Sequence, residues 1–202
     1  MKLPHSQHFL TRKHRTPQVR IYGLVSTCLM LLWAFITPAL FGQQNVHAAL
    51  IAPTARKPAP TFHLVGETGR TMQVSDYQGK VVLLNFWATD CGGCQLEIPS
   101  FIELQRTYKD KGFTAVGVAM DISYEQLKHS DEAWERVRPF MLDHKVNYPI
   151  LMGDDSVLNA YALKAYPATY LIDKSGKIAA TYVGVVNKDN VEANIQTLLS
   201  ER

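Results

Sequence analysis

The chain has 202 residues, of which 47% are hydrophobic, 19% charged and 10% aromatic, a content that excludes a wholly disordered chain, while 12 Gly with 10 Pro exclude collagen-like and low-complexity sequence. Three cysteines are too few for a disulfide scaffold, and no motif recurs at the roughly 20–50-residue period of a solenoid. The formal net charge of +3 hides an asymmetry: residues 1–20 hold five basic side chains and no acid, which leaves 16 basic against 18 acidic in the remainder and gives no support for nucleic-acid binding.

The basic arm (Lys2, Arg12, Lys13, Arg15 and Arg20) runs into an uncharged apolar stretch over 21–41, IYGLVSTCLMLLWAFITPALF. About 20 apolar residues are enough to cross a hydrocarbon core as a helix. Basic residues on the N-terminal side alone put the arm in the cytoplasm and everything downstream outside. Two readings of the stretch stand side by side. One is an uncleaved anchor; the other is a long signal peptide, with Pro38 and Gly42 ending the apolar helix and Val46-His47-Ala48 offering small residues for cleavage. Cys28 lies inside a run that continues past it, so it reads as a small apolar filler. Residues 42–59 are Pro/Ala-rich and aperiodic, the pattern of a linker or cleavage region, and the folded domain is expected over 60–202.

In that domain, 62–65 and 71–74 read as short strands around a turn at 66–69. VVLLNFW over 81–87 is a continuous apolar, β-rich run, as in a central strand buried on both faces. A helix is expected over 93–111, with Leu96, Phe101, Leu104 and Tyr108 on its apolar face and Pro99 inside it. A buried strand follows at 113–120. Ser123 with Gln126 has the capping-box pattern, and Trp134, Val137, Phe140, Met141 and His144 trace one face of a helix from about 131. Strands at 148–152, 169–173 and 177–184, a short helix at 156–162, a Lys174-Ser175-Gly176 hairpin turn and an amphipathic helix from about 187 complete the chain. The order predicts an α/β domain: a mixed central sheet flanked by helices, with an N-terminal strand hairpin and a helical insertion.

The chemistry concentrates in Cys91-Gly92-Gly93-Cys94, where the buried strand turns into a helix. Free N–H groups and the positive end of a helix stabilise an anion, so a cysteine there has a lowered thiolate pKa. Two intervening residues let the second sulfur, one turn on, close a disulfide with the first. The first cysteine is expected exposed at the helix tip and the second turned into the first turn. Such a pair works by thiol–disulfide exchange, with Cys91 attacking and Cys94 resolving. A zinc site would need two more ligands, and the body has no second C-x-x-C and no H-x-x-x-H; the reading calls for no metal and no cofactor. A purely structural disulfide closing so short a loop would stabilise little. Peroxidase chemistry calls for a lone cysteine after a Pro-x-x-x-Thr-x-x-Cys pattern, whereas Thr89 stands two residues before Cys91 with no proline in that place.

KVVLLNFWATDCGGCQLEIPSF, then FTAVGVAMD, then NYPILMGDDSVLNAYALKAYPATYLIDKSGKI, resembles the TlpA/ResA-like branch of the thioredoxin family, which are membrane-anchored or periplasmic thiol–disulfide oxidoreductases. The resemblance implies a thioredoxin-like fold, with Cys91 as the attacking and Cys94 as the resolving cysteine. It implies that Tyr166-Pro167-Ala168-Thr169 is the cis-proline loop facing the pair, presenting the backbone of Tyr166 to an extended substrate. Glu97 and Pro99 resemble the family's E-x-P in the active-site helix; the plain alternative for Glu97 is a solvated helix acid. Asp121 matches a place where the branch often carries an acid near the site and is a candidate base for Cys94; its alternative is a loop acid at a strand end. The chain also departs from the pattern. Asp90 stands where Trp is common, and its carboxylate disfavours a neighbouring thiolate. Gly93 stands where Pro is frequent, and Asn85 where thioredoxin itself carries a buried acid.

The reading that follows is an extracytoplasmic oxidoreductase, in the periplasm or on the outer face of the cytoplasmic membrane, that reduces protein disulfides. The resemblance implies disulfide-containing protein substrates, cytochrome c maturation among them, and a membrane electron donor such as a thiol–disulfide relay protein. The alternative is a non-catalytic, membrane-tethered binding module, motivated by Asp90.

Overall fold

The computed structural model describes residues 45–201, and its first strand, β1 (Lys57–Pro58), lies inside the stretch read as linker. The basic arm, the apolar run and Cys28 fall outside the described residues. No helix among the described residues is long and apolar enough to cross a membrane. From Val46 to Ala59 the chain is a strap along the domain. The Val46 N–H donates to the Val185 carbonyl (2.7 Å), the Ile51 N–H to Ala179 (2.8 Å) and the Ala59 N–H to Gly176 (2.9 Å). Arg56, 7% exposed, donates to Asp173 Oδ2 at 3.1 Å and to both carboxylate oxygens of Glu201. These ties are single bonds at irregular spacing, so they leave no periodic signature in the sequence.

The expected hairpin forms from β2 (His63–Val65) and β3 (Thr71–Gln73), antiparallel, with Gly69 turning at φ +78°. A capping box is found here, at Gln73 and Asp76, opening a single 3-10 turn over Val74–Tyr77. Next come β4 (Val81–Trp87), α1 (Gly92–Tyr108) and β5 (Phe113–Ala119). The connection from β4 to β5 is a parallel crossover through α1. The insertion comprises a short α2 (Asp121–Tyr124) and α3 (Ser130–Asp143). The Ser123/Gln126 capping box does not form. Ser123 lies within α2 with its hydroxyl on Asp155, Gln126 has a φ of +54°, and α3 begins after His129 without a side-chain cap. Then follow β6 (Ile150–Met152), α4 (Asp155–Ala160), β7 (Ala168–Ile172), β8 (Lys177–Val183) and α5 (Lys188–Ser200), which Asn187 caps through the Asn190 N–H.

The six-stranded sheet runs β1-β8-β7-β4-β5-β6, with β4, β5 and β6 parallel and β7, β8 and β1 antiparallel. Every residue of β4 is buried. Its alternate residues feed two cores: Val81, Leu83 and Trp87 pack with Ile98, Phe101 and Leu104 of α1, while Val82, Leu84 and Phe86 pack with Phe62, Leu64 and Tyr161. Each such side chain contributes roughly 1.5–3 kcal/mol by leaving water. Leu96 is the exception to the predicted helix face: it is 56% exposed, and Cys94, Glu97 and Ile98 take the inner face instead. His144, read as part of the α3 face, is exposed and stacks on Phe140 beyond the helix end.

Candidate active site

β4 delivers the chain to the site and α1 carries it away. Between them, Ala88-Thr89-Asp90 forms a short loop, and Cys91 is the N-cap of α1, its Sγ accepting from the Cys94 N–H at 3.3 Å. The pair is closed as a disulfide, S–S 2.06 Å and Cα–Cα 5.3 Å. Both sulfurs are enclosed: Cys91 is 6% exposed and Cys94 1%, so the expected exposed tip is occupied by Gly92 instead. The closed bond turns Sγ of Cys91 back onto the first helical turn.

The Tyr166–Pro167 bond is cis, and Pro167 faces Gly93. A Cβ on Gly93 would lie 3.3 Å from both Pro167 Cδ and Val185 Cγ2, so glycine at this position permits the close approach of helix start, cis-proline loop and the 184–187 segment. The Gly184 N–H donates to the Pro167 carbonyl at 2.8 Å and ties the last two together. The Tyr166 ring meets Tyr124 of the insertion edge-on, centroids 5.7 Å apart.

Three residues beyond Cys94 on the inner helix face, Glu97 is 2% exposed, which removes the solvated-acid alternative. Its Oε1 accepts the Val186 N–H (2.8 Å) and its Oε2 an Asn85 amide hydrogen (3.2 Å), while the same amide nitrogen donates to Thr169 Oγ1 (2.9 Å). Burial pushes the Glu97 carboxyl up to about 8 against the lowering by these two donors. Asn85 thus holds an acid supplied by the helix, where thioredoxin's own strand acid is absent.

Asp121 is fully buried, and its bonds run to the loop before the pair. Oδ1 accepts the Thr89 N–H (3.1 Å) and the Thr89 hydroxyl, and the Thr89 carbonyl accepts Gln95 Nε2 (2.7 Å). Oδ2 has no hydrogen-bond partner. Burial raises the Asp121 carboxyl against the Thr89 donors. The geometry makes Asp121 a clamp on Thr89; none of its hydrogen bonds goes to Cys94. Asp90 points outward. Its carboxylate, 67% exposed, pairs with Arg136 of α3 at 3.1 Å, and Arg136 also reaches Glu125 at 3.5 Å.

A model of the AhpC/TSA family matches residues 55–181. The chain belongs to this family. Among its relatives, the thiol-disulfide oxidoreductase ResA of Geobacillus kaustophilus is 32% identical over 140 residues, 69% of this chain and 75% of that protein. The thioredoxin-like protein YneN of Bacillus subtilis is 34% identical over 137 residues, 68% and 76% of the two chains. A crystal structure of a thiol:disulfide interchange protein of the thioredoxin family from Chlorobium tepidum superposes with a TM-score of 0.62 at 26% identity, covering 74% of this chain and all of that one. Within the AhpC/TSA family the chain is a thioredoxin-like thiol–disulfide oxidoreductase of the TlpA/ResA-like branch.

Sequence reading did not single out Arg136, Gln95 or Val186, and it named Val46 only as part of a cleavage region. Arg136 lies on the outer face of an amphipathic helix, where a cation is ordinary. Val46 and Val186 act through backbone groups, which their side chains do not advertise. The family match begins at residue 55, inside the stretch read as linker.

Proposed function

We propose that this oxidoreductase reduces disulfides of proteins outside the cytoplasm. The observation that carries the reading is the Cys91–Cys94 bond at the start of α1, with the cis Tyr166–Pro167 loop beside it and the buried carboxyl of Glu97 one turn below. In the reduced enzyme the Cys91 thiolate attacks one sulfur of the substrate disulfide. That bond breaks, the departing sulfur leaves as a thiolate and takes up a proton, and a mixed disulfide joins enzyme and substrate. Glu97, in its ionised form, takes the proton of Cys94, which attacks Sγ of Cys91 and expels the second substrate thiolate; Glu97 then returns the proton to that thiolate. The substrate gains two electrons and two protons, and the pair closes as seen here.

A dithiol donor on or in the membrane must then reopen the pair, since an oxidising compartment does not keep it reduced. The basic arm and apolar stretch over 21–41 support the location, as anchor or as signal peptide. Tyr166 offers its backbone to an extended substrate chain, and the exposed Tyr124 beside its ring adds apolar surface. The sequence resemblance to the TlpA/ResA-like branch points to cytochrome c maturation as a setting for these substrates.

The test is insulin reduction driven by dithiothreitol. The expected result is turnover by the wild-type protein and none above background by Cys91→Ser. Equal rates for the two overturn the reductase reading and leave the tethered binding module.

A further inference from the structure

One peptide plane links the strap to the redox site. The Val185 carbonyl accepts the Val46 N–H at 2.7 Å, and the N–H of the same peptide unit, on Val186, donates to Glu97 Oε1 at 2.8 Å. Val46 brackets that unit, because its own carbonyl accepts the Asn187 N–H at 2.9 Å. The strap is held beside it by two asparagines of α5: the Ala48 N–H donates to Asn190 Oδ1 (3.0 Å) and Asn194 Nδ2 donates to the Ala48 carbonyl (2.9 Å). The same short segment packs Val185 against the position of Gly93 and ties Gly184 to Pro167. At Gly184, with φ +106°, a Cβ would lie 3.2 Å from Val46 Cγ2, so the strap is fitted closely to it.

Hydrogen bonds in series polarise one another, and a carboxylate is stabilised by the donor best aligned to it. We propose that Val46, in the segment read as a linker, is a positioning residue of the redox centre: docked as seen here, it fixes and polarises the Val185–Val186 peptide that holds the Glu97 carboxylate. The proposal rests on the oxidoreductase reading. When the strap loosens, the Val186 N–H is free to turn from Glu97 and the carboxylate loses a donor. Less negative charge then stands beside the thiolates of the opened pair, so the reduced form gains. A pair whose reduced form is stabilised is the more oxidising.

The experiment equilibrates the full chain with glutathione buffers above pH 8, where the Glu97 carboxyl, pushed up to about 8, is ionised, and measures the fraction of open pair by thiol trapping. Val46→Pro deletes the donor to Val185 and is expected to shift the exchange constant about threefold toward the reduced form. In a Glu97→Gln background the same substitution is expected to shift nothing, because there is no carboxylate to lose. Arg56→Gln loosens the strap at its other end and is expected to lower stability while leaving the constant unchanged. An unchanged constant in Val46→Pro, an equal shift in the Glu97→Gln background, or an equal shift in Arg56→Gln overturns the proposal. Should Val46→Pro not fold, Asn190→Ala releases the Ala48 N–H and must shift the constant in the same direction; no shift there is equally fatal. A wild-type pair that never equilibrates with glutathione sinks the redox reading itself, a result distinct from these.

Discussion

At the scale of single residues, Glu97 couples the site to stability. Its carboxyl is pushed up to about 8 in the folded protein by burial, against about 4.3 in an unfolded chain. Between these values the native state keeps a proton that the unfolded chain has released. The folded state is therefore favoured most at the acid end, and stability falls as pH rises from about 4.3 toward 8. Glu97→Gln removes this titration. Denaturant midpoints then decline less steeply across the window, a difference on the order of a few kcal/mol at the alkaline end, and the fall that remains comes from Asp121, which burial also raises. Asp90 and Arg136 act on Cys91 in opposite senses. The helix start favours the thiolate by about 0.3–1 kcal/mol, the adjacent carboxylate opposes it, and the Arg136 guanidinium offsets the carboxylate. Asp90→Asn therefore lowers the pKa of Cys91 in the reduced protein, and Arg136→Gln raises it. Both changes are a fraction of a unit, since the pair is exposed and screened. Ultraviolet thiolate absorbance against pH reads each one, and shifts of the opposite sign refute the assignment.

At the scale of elements, the junction of α1, the cis-proline loop and segment 184–187 depends on Gly93. Gly93→Ala forces Pro167 and Val185 back by a few tenths of an ångström. It is expected to cost about 1 kcal/mol and to slow insulin reduction several-fold, as seen in paired denaturation and activity measurements. This junction also divides what the sequence discloses from what it does not. β4 and β5 are readable because burial on both faces needs an unbroken apolar run, and Cys91 and Cys94 because a C-x-x-C at a strand-to-helix turn has few other uses. The strap is not readable, because its anchors are isolated backbone bonds and one arginine whose partners, Asp173 and Glu201, lie 117 and 145 residues away. The Ser123/Gln126 capping box fails for a related reason, although α3 begins at Ser130, beside the expected start near 131. Ser123 and Gln126 have the spacing of a capping box, but Ser123 is drawn to Asp155 across the fold. A long-range bond outcompeted a local one.

At the scale of the molecule, acids of opposite character bracket the pH range of greatest stability. Asp173 is held below the usual carboxylate range: burial pushes it up, but the Ser175 hydroxyl, the Lys177 N–H and Arg56 outweigh that. Glu201 is lowered chiefly by its bonds to Arg56. Their contribution is present above the ordinary carboxylate value and is lost as pH falls through their lowered ones, opposite in sense to Glu97. The two ends of the sheet have a further consequence. Its β8 side is paired with β1, Lys57 and Pro58, one charged and one without an N–H, and the rest of the strap is tied to it by single bonds such as that of the Ile51 N–H to Ala179. On its β6 side, the hairpin reaches over through the Gly66–Leu151 bridge. Neither border offers a neighbouring copy a long ladder of free backbone groups, so the sheet is guarded against adding strands at its flanks. Lys57→Val combined with Pro58→Val removes the charge and restores the missing donor. That variant is expected to form concentration-dependent assemblies in light scattering while the wild type stays dispersed, because the strap that steadies the redox centre also keeps the sheet from polymerising.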